Sequence, residues 1–211
     1  MSSRRVVVTG LGVVVPHGDD IDDVYRQIAA GKNICGRITK FDPTGFACQI
    51  GSEVKYTPDV PEMVGPYSVH NAALQYTAGA AQKAIAYAGL DPAQGEAKDR
   101  RAIVLSTGVG PANIHFLGPI ARRLHGTDAD PYKSDLGAFY DYAPGEPEAE
   151  GMDDFHLDTA APICATMLGA AHVYNTASAC ASGSHTVADA GALIRRGEAD
   201  VVLAGGICTP V

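Results

Sequence analysis

Short runs of β-branched residues alternate along the chain with longer stretches in which alanine and leucine recur at helical spacing. Arg4–Val8 is such a run, ended by glycine, and reads as a buried strand. Asp19 or Asp20 can cap a helix that reaches Ala30 and closes at Gly31. Ile50–Val54 reads as a short strand, and Tyr67–Ala88 as a long alanine-rich helix ending at Gly89. Ala102–Leu105 is the next strand, and Ala112–Leu124 has a helical pattern. Pro162–Ala170 is a short helix with proline in its first turn. The strand Val173–Ala177, the helix Cys180–Arg196 and the strand Val201–Ala204 close the series. Such alternation predicts an α/β class with a mixed or mostly parallel sheet flanked by helices.

The chain has 211 residues, enough for one large domain with its own core. Hydrophobic residues make up 46% and charged residues 19%, which excludes a disordered chain. A net charge of −8 argues against nucleic acid as the main partner. Residues 126–158 differ in character: the stretch Asp141–Gly151 is acidic and rich in proline and glycine. It reads as an exposed insertion, with a lid or partner surface as the alternative.

Five cysteines (Cys35, Cys48, Cys164, Cys180, Cys208) form no CxxC pair, and no His/Cys cluster has zinc-site spacing. Reduced thiols, a cytoplasmic protein and no structural metal follow as expectations. Arg4-Arg5 before an apolar stretch mimics a signal peptide, but Thr9, Gly10 and Gly12 interrupt it. No apolar run reaches the ~18 residues that a membrane span needs. Gly10-Leu11-Gly12 suggests a dinucleotide-binding turn, yet Val15 stands where its third glycine or alanine belongs. Gly108-Val109-Gly110 likewise lacks a third glycine.

The segment Tyr174–His185 carries the most chemistry. A β-prone run meets a cysteine flanked by Ala179, Ala181, Ser182 and Gly183, and a helical pattern begins at that cysteine. This places a thiol at a strand-to-helix elbow. There the free N–H groups and the helix dipole favour thiolate, and the same N–H groups can hold an oxyanion. The small neighbours let a substrate carbonyl approach the backbone. The competing reading is that a cysteine among small residues is simply a buried apolar side chain.

Ser178-Ala179-Cys180-Ala181-Ser182-Gly183 resembles the nucleophile motif of β-ketoacyl-acyl-carrier-protein synthases, in which Thr-Ala-Cys is the commoner start. His185 and the run Arg196–Gly206 fit the same pattern. So do Arg5–Gly12 with Pro16-His17-Gly18, Ala30–Ile34, Phe41-Asp42, Gly51–Val54 and Ser106–Gly110, all in the family's order. The similarity runs from residue 4 to about 206, with a gap near 111–160.

The resemblance implies the thiolase-like fold, built of two similar α/β halves. Residues 1–211 look like the N-terminal half as a single domain, with the C-terminal half absent. Cys180 would be the catalytic nucleophile, its backbone N–H one oxyanion donor. Val109 would gate the acyl pocket, with Gly108, Gly110 and Ala179 as the other substrate-binding positions. The resemblance implies no cofactor and no metal. The implied partners are an acyl carrier protein bearing acyl and malonyl thioesters, and a complementary C-terminal half or partner subunit. A homo- or heterodimer would form through the strand His172–Ala177; neither nucleic acid nor membrane is implied.

The family's second half supplies two histidines and a lysine for decarboxylation, and a second oxyanion N–H. None of His17, His70, His115, His125, His156, His172 and His185 occupies either histidine position. His185 is expected to make a structural hydrogen bond, and His172 to be a structural or interface residue. Met63–Tyr67 lacks the basic residues that the family often places for carrier docking, and Leu168–Ala171 replaces its usual Gly-Pro turn. The implied function is acyl transfer and condensation in fatty-acid or polyketide biosynthesis. A chain-length-factor-like subunit without condensing activity, or a cysteine-dependent acyltransferase or thioester hydrolase, remain as alternatives.

Overall fold

The structure, a computed structural model, describes residues 4–94, 98–107 and 159–208. At its centre lies β5 (Arg101–Thr107), which pairs in parallel with β6 (His172–Thr176) on one edge and β7 (Val201–Ile207) on the other. All three strands run the same way, so the sheet among the described residues is parallel rather than mixed. Residues 102–105 of β5 are almost fully buried, which explains their continuous apolar run. The two faces divide them by alternation. Ile103 and Leu105 join a core with α2 (Ala72–Tyr87) and α3 (Ala160–Leu168), including Leu74, Ala78, Ile163 and Leu168. Ala102 and Val104 pack on the opposite face against Leu193 of α4 (Ser182–Arg196) and against Ala199.

Local chemistry places most helix ends. The Asp20 side chain caps α1 (Ile21–Ala29) by accepting from the Asp23 N–H at 2.9 Å. The next long helix, α2, starts five residues later than the alanine-rich pattern predicts. Met63–Val64 (β3) and Tyr67–Ser68 (β4) form a tight antiparallel hairpin instead, turned by Gly65 at φ 59°. Asn71 then caps α2 through the Leu74 N–H at 2.9 Å.

Two predicted strands change. Only Ile50–Gly51 (β2) pairs, antiparallel to Gly36–Arg37 (β1). Beyond it the Glu53 carboxylate turns inward, accepting from the N–H groups of Thr39 and Lys40 at 2.9 Å each and from Thr39 Oγ1 at 2.7 Å. Arg4–Val8 forms no strand. It pairs with no strand among the described residues, and Val6, Val7 and Val8 are 37, 61 and 75% exposed. The following residues lie against α2: a Cβ on Gly10 would fall 2.2 Å from Ala84 O, and one on Gly12 1.9 Å from Ala80 O. The predicted helix Ala112–Leu124 and the insertion 126–158 lie outside the described residues. No helix among the described residues is long and apolar enough to cross a membrane.

Candidate functional site

Because β5, β6 and β7 are parallel, their carboxyl ends share one edge, where α/β sheets hold their ligands. Ser106 and Thr107 end β5 there, and Gly206 and Ile207 end β7. β6 ends at Thr176 and leads through Ser178 into a single 3-10 turn, Ala179–Ala181, before α4 begins. Cys180 thus sits in the turn just ahead of the helix, not at its first residue as the pattern predicts. Its thiol is free and exposed.

The elbow is bent sharply. Ala179 has φ 50°, the one positive φ at a non-glycine residue among those described. The Ala181 N–H donates to Ser178 O at 3.1 Å, and the Ser182 N–H to Ala179 O. The N-cap residue of α4, Ala181, makes no side-chain cap bond, so no capping side chain among the described residues competes with an incoming anion for its first-turn N–H groups. Ser182 is buried, and its Oγ accepts from the Ser178 N–H at 2.8 Å. Ser178 Oγ is hydrogen-bonded to His185 Nδ1. Thr186 is buried, and its Oγ1 donates to Gly183 O at 2.8 Å.

Glycine brings the elbow down onto the sheet. A Cβ on Gly206 would lie 3.1 Å from Gly183 Cα and 3.3 Å from Ser106 Oγ. The first turn of α4 therefore rests on β7 at a contact that a Cβ would crowd. Ser106 is buried beneath it, and its hydroxyl has no hydrogen-bond partner among the described residues. Neither the Gly206–Gly183 contact nor the grip of Ser182 and His185 on Ser178 is visible in residue spacing. The Gly205-Gly206 pair was the single available signal for the first.

The other thiols are set differently. Cys164 is fully buried in α3, and burial pushes its thiol up to about 12. Cys35 Sγ lies 3.1 Å from Ser52 Oγ, and Cys48 Sγ donates to Ile50 O at 3.4 Å, both around the β1–β2 hairpin. Among the described residues no group of histidine, cysteine and carboxylate side chains is placed to hold a metal. His172 Nε2 lies 3.0 Å from Asp99 O. Ala179 and Cys180 are adjacent at the elbow, whereas Gly108, Val109 and Gly110 lie outside the described residues, directly after β5. The outer edge of β6 is open among the described residues, with Val173 and Tyr174 exposed on it.

A family profile described as "Beta-ketoacyl synthase, N-terminal domain" matches residues 3–211. The chain is 27% identical to 3-oxoacyl-[acyl-carrier-protein] synthase 2 of Coxiella burnetii over 209 residues, 98% of this chain and 46% of that protein. It is 29% identical to the actinorhodin polyketide putative beta-ketoacyl synthase 1 of Streptomyces coelicolor over 212 residues, 99% of this chain and 42% of that protein. The solved structure of the ishigamide ketosynthase/chain length factor superposes with a TM-score of 0.66 at 25% identity, covering 97% of this chain and 47% of that one. The chain spans about half the length of the curated relatives it matches.

Proposed function

The chain belongs to the β-ketoacyl synthase family as its N-terminal domain, and from that premise we propose that it is the nucleophile-bearing half of a condensing enzyme of fatty-acid or polyketide synthesis. One observation carries the reading: an exposed thiol at a left-handed elbow, directly before a long, uncapped helix at the carboxyl edge of a parallel sheet. The names of the relatives, a 3-oxoacyl-[acyl-carrier-protein] synthase and a polyketide putative beta-ketoacyl synthase, support it.

In this reading Cys180 Sγ, as thiolate, attacks the carbonyl carbon of an acyl-carrier thioester. The carbonyl electrons move onto oxygen, and the Cys180 N–H stabilises that oxyanion. Collapse breaks the bond to the carrier sulfur, which leaves as a thiol by taking up the proton that Cys180 gave up, and the acyl group stays on Cys180. Condensation then needs a malonyl-carrier thioester to lose CO₂, and its carbanion to attack the Cys180 thioester. The groups that stabilise that carbanion, two histidines and a lysine by resemblance to the family, are assigned to a complementary C-terminal half. Val109, Gly108 and Gly110 are assigned to the acyl channel and Ala179 to the carbonyl approach. Residues 126–158 are assigned to an exposed insertion. The open edge of β6 is assigned to pairing across a two-fold axis. Five unpaired cysteines suit a cytoplasmic protein.

Retention of Cys180 favours a condensing half over a chain-length-factor-like subunit. The test is intact-mass spectrometry after incubation with acyl-carrier thioester, in the presence of the complementary half. A single acyl adduct on wild type, lost in Cys180→Ala, is expected. An adduct that survives Cys180→Ala refutes the assignment.

A further inference from the structure

A left-handed alanine persists only where its surroundings hold it, so the contacts around Ala179 locate whatever holds the elbow. They converge on the preceding residue. α4 grips Ser178 twice: the Ser178 N–H donates to Ser182 Oγ at 2.8 Å, and Ser178 Oγ is bonded to His185 Nδ1. Two residues back, Thr176 Oγ1 donates to Asp189 Oδ2 at 3.4 Å. Residues 182, 185 and 189 recur at spacings of three and four along one helix face, and 176 and 178 at the strand period of two. The chain that enters the elbow is thus stitched to the helix that leaves it, with Ala179 and Cys180 as the loop between the stitches.

We propose that His185 and Ser182 are positioning residues for Cys180. By fixing Ser178 against α4, they force the chain through the left-handed Ala179, and this sets where the Cys180 thiol and N–H lie. His185 takes no proton from the substrate, and its ring acts through Ser178. The proposal rests on the reading of Cys180 as the acyl-accepting nucleophile.

Ser182 is buried and its removal risks the fold, so His185 and Ser178 are the informative positions. The experiment measures the rate of iodoacetamide alkylation at each cysteine by peptide mass spectrometry, in the folded full-length protein. Cys35 and Cys48 serve as internal references, and labelling of buried Cys164 reports unfolding. His185→Leu and Ser178→Ala should each slow Cys180 roughly tenfold, about the effect of losing one hydrogen bond. The double variant should be no slower than either single one, because both remove the same bond. His185→Asn, which keeps a polar atom at the δ position, and Ser178→Thr should restore the rate. A Cys180 rate unchanged by His185→Leu and Ser178→Ala overturns the proposal. So do additive effects, or failure of both conservative variants to rescue. A wild-type Cys180 no faster than Cys35 instead overturns the nucleophile reading itself.

Discussion

Gly206→Ala is the most direct probe of how the sheet holds the nucleophile. The added Cβ would meet Gly183 Cα at 3.1 Å and Gly183 N at 3.6 Å, both backbone atoms in the first turn of α4. Comfortable carbon–carbon contact begins near ~3.5 Å, so the turn must lift by about 0.5 Å. Overpacking of this kind costs ~1–3 kcal/mol. Replacing a strand glycine returns about 0.5–1 kcal/mol of backbone entropy. The balance runs from about zero to a loss of roughly 2.5 kcal/mol, or up to about 10 °C in Tm for a chain of this size. Activity should suffer more. A misplacement of about 1 Å can cost ~100-fold, so half of that should slow acyl transfer to Cys180 on the order of tenfold.

The neighbouring Gly205→Ala is the control. Among the described residues its Cβ would touch only Leu105 Cδ2, at 3.4 Å, the end of a flexible side chain. Thermal denaturation and time-resolved acyl loading, run on both variants, separate the two positions. Equal Tm and equal loading rates for Gly205→Ala and Gly206→Ala would refute the idea that α4 rests on Gly206.

Three further outcomes are expected. The Glu53 carboxyl is held below its usual value near 4.5, first by the Thr39 hydroxyl and then by the Lys40 and Thr39 N–H groups. Its stabilising effect is therefore present above the unfolded value and lost as pH falls through the folded one. Glu53→Gln should lower Tm at neutral pH, with the gap to wild type closing below the ordinary glutamate range; a constant gap in a pH series of melts contradicts this. Val109→Phe should shift acyl preference towards shorter chains in the assembled enzyme, and an unchanged product profile counts against Val109 as the channel gate. Thr176→Pro removes an N–H from β6 and should weaken association measured by analytical ultracentrifugation; an intact dimer shows that this strand is not the interface.

Much of this protein is written locally. The unbroken Ala102–Leu105 run announces a strand covered on both faces, because only a central parallel strand buries every side chain. Asp20 stops α1 through a bond three residues away, well within the reach of spacing. The cysteine among small residues after a β-prone run places the elbow, since the change from period two to helical spacing occurs there. What the sequence cannot contain is the identity of distant partners. Arg4–Val8 has every property of a strand, yet a strand exists only by pairing, and among the described residues it pairs with none. Tyr67 has helical company, but its pairing with Val64 and the Asn71 cap settle where α2 begins. At the site, the cysteine is legible, whereas the strained Ala179, the grip on Ser178 and the seat of Gly183 on Gly206 are not. Each arises where two elements meet in space, and contact distances of about 3 Å are set by packing, not by order along the chain.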